Sequence, residues 1–139
     1  MAAYDPDNIF AKILRGEIPC HKLYEDDETL AFLDIMPRTE GHALVITKEP
    51  AADLFGITPE GLGALMAVVQ KLAPKIQEAV GADGVLIQQF NGAAAGQTVF
   101  HLHVHIVPRK EGERMRPEGA TMADPDALAA TAEKIRAVL

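Results

Sequence analysis

Three of the five histidines of this 139-residue chain fall within five positions, as His101, His103 and His105. Leu102, Val104 and Ile106 alternate with them. Successive side chains of an extended strand point to opposite faces, and the rise is about 3.3 Å per residue. The three imidazoles therefore share one face, roughly 6.6 Å apart, while the aliphatic residues occupy the other. Two chemistries suit such a face. Imidazole is a common zinc ligand, and a His-x-His strand pair holds a metal when a third ligand arrives from elsewhere. A neutral imidazole is also a nucleophile toward phosphorus, and an ordinary pKa of about 6.5 supplies the neutral form near pH 7.

The run before the histidines bears on that choice. Gly92 and Gly96 let the backbone approach a ligand closely, and Asn91, Gln97 and Thr98 offer uncharged donors. Such a cradle suits phosphate oxygens better than a bare metal. A metal site also wants a nearby carboxylate, and none lies between Asn91 and Lys110. The residues by themselves tilt the reading toward phosphorus chemistry and leave a zinc site open.

These side chains must be positioned by a scaffold, and hydrophobic periodicity outlines it. Asn8 to Arg15 places Ile9, Phe10, Ile13 and Leu14 at helical spacing and closes on Gly16. After Pro19, Lys22 to Glu25 and Thr29 to Ile35 read as short strands, turning at Asp26-Asp27. His42 to Thr47 makes a third strand. Thr58 caps a long helix with Pro59 at its first position and Glu60 in its first turn. Leu62, Leu65, Met66, Val69, Leu72 and Ile76 share one face of that helix, Pro74 is expected to kink it, and Gly81 ends it. Gly84 to Phe90 is a fourth strand, and Phe100 to Val107 a fifth that alternates strictly. Glu111 to Ala123 lacks periodicity, and Asp124-Pro125 then opens a C-terminal helix carrying Leu128, Ala132, Ile135 and Val138. With no internal repeat and no long linker, residues 1–139 read as one α+β unit in which 110–139 form an extension.

Composition narrows the partners. A hydrophobic fraction of 48% and a charged fraction of 24% are ordinary for a globular chain. No apolar run reaches the ~18 residues a spanning helix needs, and the acidic start Met1-Ala2-Ala3-Tyr4-Asp5 is unlike a secretory leader. A cytoplasmic protein without a membrane partner is expected. A formal net charge of -7 argues against a nucleic-acid partner, which requires a basic face. Arg109, Lys110, Arg114 and Arg116 form the one basic cluster, interrupted by Glu111 and Glu113. Cys20 is the only cysteine, so neither an intrachain disulfide nor a thiolate metal cage can form within one chain.

The segment from Asn91 to Val107, NGAAAGQTVFHLHVHIV, resembles the signature of the histidine triad (HIT) family. Asn8 to Ile13, Glu17-Ile18-Pro19, Leu30 to Ile35 and Gly41 to Ile46 match further blocks in the family's order, so the resemblance covers residues 8 to 109. It implies an α+β HIT-like fold: an antiparallel sheet of about five strands, one long and one short helix, and here a C-terminal helix in addition. It implies nucleotidyl transfer in two steps. His103 attacks the α-phosphorus, and water then cleaves the nucleotidyl-histidine to release the nucleoside monophosphate. His101 and His105 are expected to bind phosphate oxygens and to set the tautomer of His103. His42 matches a fourth histidine packed behind the triad, and Thr98 a hydroxyl near the leaving group. Asn91, Gly96 and Gln97 match the phosphate side, Asp34 a carboxylate on the ribose hydroxyls, and Ile9, Phe10, Phe32 and Ile35 an apolar slot around the base.

The departures matter as well. Some relatives carry an N-terminal Cys-x-x-Cys that helps to bind zinc, and here those positions are Asn8 and Ala11. No structural metal and no cofactor are expected. The branch with the best-studied phosphoramidase activity carries a tryptophan in a short tail, and this chain has none. The resemblance also implies a homodimer joined through a sheet edge, which would bury an otherwise unpaired edge. The substrate implied is a purine nucleoside phosphoramidate. A dinucleoside polyphosphate, with its distal phosphates on the Arg109 to Arg116 region, is the alternative, and a purine nucleotide-binding regulatory module without turnover is a third.

Overall fold

A computed structural model describes residues 3–139. Helix α1 spans Ile9–Leu14, and Asn8 caps it by accepting a hydrogen bond from the Ala11 N–H. Strands β1 (Lys22–Glu25), β2 (Thr29–Leu33) and β3 (Ala43–Thr47) follow, and then helix α2 (Pro59–Val80). Strands β4 (Gly84–Gln88) and β5 (His103–Arg109) and helix α3 (Pro125–Arg136) complete the chain. All strand pairs are antiparallel, in the order β1-β2-β3-β5-β4.

The caps of α2 fall where the residue types require. The Thr58 hydroxyl accepts from the Gly61 N–H, Pro59 occupies the first turn, and Gly81 closes the helix at φ 68°. One expectation for this helix needs correction. Met66 is 41% exposed, and Val68 takes its place on the buried face. Pro74 lies inside the helix, which continues to Val80.

The sheet separates two apolar layers. Ala31, Leu33, Ala43, Val45, Val104 and Ile106 face α2 and α3, where Leu65, Leu72, Ile76 and Ile135 are fully buried. The other face carries Leu30, Phe32, Leu44 and Ile46, which pack with Phe10 of α1. Each such side chain removed from water contributes about 1.5–3 kcal/mol. On that second face His103 lies opposite Ile46, and His105 lies between Leu44 of β3 and Gln88 of β4. The histidine strand is thus held from both sides.

Strand bounds differ from the sequence reading in ways that affect the site. β2 stops at Leu33, which leaves Asp34 and Ile35 in the connection to β3. β5 begins at His103, because the Leu102 N–H leaves the ladder to bond the Ala51 carbonyl at 2.8 Å. It continues to Arg109, with Pro108 beyond the last residue paired to β3. The aperiodic tail crosses the β2–β3 connection: the Arg116 N–H bonds the Arg38 carbonyl and the Ala123 N–H bonds the Ile35 carbonyl, both at 2.9 Å. Among the described residues no helix is long and apolar enough to cross a membrane.

Candidate active site

The four histidines His42, His101, His103 and His105 are all buried, and the chemistry of their partners assigns a proton to each ring. The Arg38 N–H donates to Nδ1 of His42 at 3.0 Å. That nitrogen must be unprotonated, so a neutral His42 carries its proton on Nε2. Nε2 lies 2.9 Å from Nδ1 of His105 and donates to it. His105 consequently carries its own proton on Nε2. His103 behaves oppositely: its Nδ1 is 2.6 Å from the His101 carbonyl oxygen, which only accepts. Its proton sits on Nδ1, and its Nε2 is a free lone pair.

Electrostatics keeps these rings neutral. Burial lowers the pKa of His42 to about 4 and that of His105 to about 3, with the charge of Arg38 acting in the same direction. Burial also lowers those of His101 and His103. An unprotonated nitrogen and a donating one therefore coexist at neutral pH, each fixed by the hydrogen bond on the other side of its ring.

Both rings line a cavity of about 250 Å³. The side chains of Ile9, Phe10, Phe32, Asp34, Ile35 and Thr98 line it too, together with Glu118 and Gly119 from the tail. Phe10 sets its edge against the His103 ring, with centroids 4.9 Å apart at 85°. Phe90 packs against His105 at 5.4 Å. Asp34 Oδ1 accepts from the Met36 N–H at 2.8 Å, and burial raises its carboxyl pKa. The second oxygen of Asp34 lies 3.6 Å from His42 Nε2.

Other expected contacts lie elsewhere. Asn91 Oδ1 accepts from the Leu54 N–H at 2.8 Å. Gln97 is buried, with its amide donating to the Ala52 carbonyl at 2.7 Å and its oxygen accepting from the Gly92 N–H at 2.8 Å. These two amides hold the loop together, and with Gly96 they are not among the residues lining the cavity. Gly92 and Gly96 adopt φ 94° and 104°, which favours glycine whether or not a ligand is near.

His101 requires a similar correction, since it precedes β5. Its Nε2 donates to the Thr47 carbonyl at 2.7 Å, and its Nδ1 accepts from the Tyr4 hydroxyl at 3.1 Å. Both nitrogens are engaged, so the ring has no donor left for a phosphate oxygen. Three participants carried no signal in the sequence. Tyr4 and Glu118 stand in stretches without periodicity, and the Arg38 contribution comes from its backbone.

A metal was the other chemistry compatible with a histidine face. Among the described residues, Asp34, His42 and His105 form the group whose ligand atoms come within 4.8 Å of one another. The hydrogen bonds do not suit a cation there. A metal on His42 Nε2 would need the proton on Nδ1, where it would face the Arg38 N–H donor.

The HIT domain family matches residues 15–112 of the chain. Adenylylsulfatase HINT3 of Arabidopsis thaliana is 46% identical over 105 residues, covering 76% of this chain and 53% of that protein. The match thus spans about half the length of the plant relative. Adenosine 5'-monophosphoramidase hnt1 of Schizosaccharomyces pombe is 43% identical over 105 residues, 76% of each chain. A crystal structure of a HIT-like protein of Bartonella henselae involved in cell-cycle regulation, with an unknown ligand, superposes with a TM-score of 0.94 at 46% identity. It covers 99% of this chain and 100% of that one. A zinc-bound histidine triad family protein of Mycobacterium smegmatis superposes with a TM-score of 0.84 at 38% identity, covering 95% and 92%.

Proposed function

The chain belongs to the histidine triad family, and from that premise we propose that it hydrolyses a purine nucleoside phosphoramidate to the nucleoside monophosphate. The observation that carries the reading is the protonation pattern of the two cavity histidines. His103 presents a lone pair and His105 an N–H, side by side with ring centroids 5.0 Å apart. That is what an attack on phosphorus requires: a nucleophile, and a donor for the oxygen on which charge grows.

In the proposed sequence Nε2 of His103 attacks the α-phosphorus. The phosphorus–nitrogen bond breaks, and the amine leaves after taking up a proton. Water then attacks the phosphorus of the nucleotidyl-histidine, losing a proton as the nucleoside monophosphate departs and His103 is restored. The His101 carbonyl stabilises the positive charge that appears on His103 by holding its Nδ1–H. The Nε2–H of His105 binds a non-bridging oxygen, and Thr98 stands on the leaving-group side. Ile9, Phe10, Phe32 and Ile35 form a slot for the base, and Asp34 accepts from the ribose hydroxyls. Ile9 and Ile35 are 46% and 43% exposed, which leaves apolar surface at the cavity for a base to cover.

A second reading, hydrolysis of a dinucleoside polyphosphate, rests on the basic residues. Arg38, Arg114, Arg116 and Lys134 line a separate cavity of about 550 Å³ that reaches His42. Arg109 donates to the Glu113 carbonyl, and Lys110 and Lys134 both pair with Glu40, a carboxylate that lines the same cavity. We also propose a homodimer: β4 is an edge strand, and its Ile87 is 41% exposed, so a second copy would cover both.

The test is adenylate release from an adenosine phosphoramidate and from diadenosine polyphosphates, with and without chelator. Release from the phosphoramidate that persists in chelator is expected. Activity that disappears in chelator would overturn the metal-free route. Adenylate binding without turnover of either substrate would replace the hydrolase by a binding module.

A further inference from the structure

We propose that the Tyr4 hydroxyl is a positioning residue for the reaction, acting through His101 on the nucleophile His103. The inference rests on the reading of His103 as nucleophile.

His101 reaches the nucleophile through its backbone. Its carbonyl oxygen takes the Nδ1–H of His103 at 2.6 Å and so decides which nitrogen of that ring is free. The place of that carbonyl depends on how its peptide unit and residue 101 are held, because the chain there has left the ladder. On one side the Leu102 N–H of the same planar peptide bonds the Ala51 carbonyl at 2.8 Å, and on the other the His101 side chain anchors the residue. Its Nε2–H is bound to the Thr47 carbonyl at the end of β3, and its Nδ1 to the Tyr4 hydroxyl. The ring is fully buried, so Nδ1 can turn to no bulk water if the hydroxyl is lost. An unmet buried acceptor is costly, and because the Nε2–H bond to Thr47 restrains rotation about the side-chain bonds, its relief shifts residue 101 and the carbonyl together.

Tyr4 suits the task. Its ring packs against His101, with centroids 5.5 Å apart and planes at 60°, so a phenylalanine would keep the packing and lose only the hydroxyl. Phe10, which also packs against the His101 ring, offers no polar side-chain atom. The Tyr4–His101–His103 relay thus ties the segment ahead of α1 to the nucleophile. Misplacement of a reacting group by a fraction of an ångström slows the chemical step and leaves substrate binding nearly unchanged.

The experiment compares wild type, Tyr4→Phe, Tyr24→Phe and His103→Ala with an adenosine phosphoramidate as substrate. Tyr24 is the control, since its hydroxyl donates to Asp26 and lines no part of the cavity. Tyr4→Phe is expected to lower kcat about three- to tenfold with KM unchanged. In nitrogen-15 spectra its His101 Nδ1 resonance should move toward that of a ring nitrogen without a hydrogen bond. Tyr24→Phe should match wild type in both. A Tyr4→Phe enzyme with wild-type kcat, or one whose loss falls wholly on KM, overturns the proposal. If Tyr4→Phe fails to fold by circular dichroism, Tyr4→Trp, which keeps an aromatic ring and a donor, is measured instead, and wild-type kcat with an unbonded Nδ1 overturns it equally. Activity retained in His103→Ala is a different failure: it removes the nucleophile reading and the relay falls with it.

Discussion

Protonation decides what each buried histidine can do, because a neutral imidazole offers one donor and one acceptor and the neighbour of one nitrogen dictates the other. The Arg38 N–H and the His101 carbonyl thereby give opposite roles to His105 and His103, although both are histidines on one strand face. His103→Ala is expected to lose adenylate release by at least about a thousandfold while still binding adenylate, which calorimetry and single-turnover assays would separate. The pH profile follows from burial. Since the pKa of His103 lies below its ordinary value, kcat should hold as pH falls through 6.5 and decline only at lower pH. An acid limb centred at or above 6.5 would show that the nucleophile is not held neutral. At this scale the sequence was informative about residue type. It pointed to His103 and His105, whereas the contacts of His101, Asn91 and Gln97 depended on partners up to ninety-seven positions away along the chain.

Elements bring these residues together through turns and helix ends. Gly41 precedes β3 at φ +89°, and a Cβ there would stand 2.9 Å from Val80 Cγ1 and 3.2 Å from Pro108 Cγ. Gly41→Ala should therefore combine backbone strain with a clash and cost about 2–4 kcal/mol in urea unfolding. A variant as stable as wild type would mean that α2 yields easily at its end. Helix α3 packs Leu128, Ala132 and Ile135 into the layer beneath the sheet. Ile135→Ala should cost about 2–5 kcal/mol, and a change below 1 kcal/mol would show the helix to be dispensable for stability. The helices were legible from their caps, since Asn8, Thr58, Pro59 and Gly81 act over three or four residues. The strand ends were not, because a strand stops where its neighbour does. β5 starts at His103 through a bond to Ala51, a residue far off in sequence.

The whole molecule sets the conditions under which the site persists. His42 and His105 take up protons less readily folded than unfolded, with pKa values of about 4 and about 3 against an ordinary value of roughly 6.5. The unfolded chain binds more protons throughout that window. Their contribution to stability is thus full above about pH 6.5 and is lost as pH falls toward 4 and 3. Asp34, raised by burial, works in the other direction, but over the carboxylate range. Urea midpoints should accordingly fall between pH 7 and pH 5, a window that the histidines dominate, and midpoints that stay level would contradict their buried neutral state. The edge of β4 leads to a separate expectation. Light scattering at micromolar concentration should give twice the chain mass, and Ile87→Lys should shift it toward the monomer.

The sequence by itself determined the α+β class, the five strands, the capped long helix and the family, because these depend on periodicity, on caps and on a motif of contiguous residues. It also placed His103 and His105 together on one face of a strand. Tertiary structure decided which nitrogen of each ring carries the proton, that His101 supports the site from outside the strand, and that Tyr4, Arg38 and Glu118 belong to its surroundings. The physical reason is that a proton's position is set by the partner across the hydrogen bond. Here those partners are backbone carbonyls, an amide and a hydroxyl, whose arrival at the site no local pattern announces.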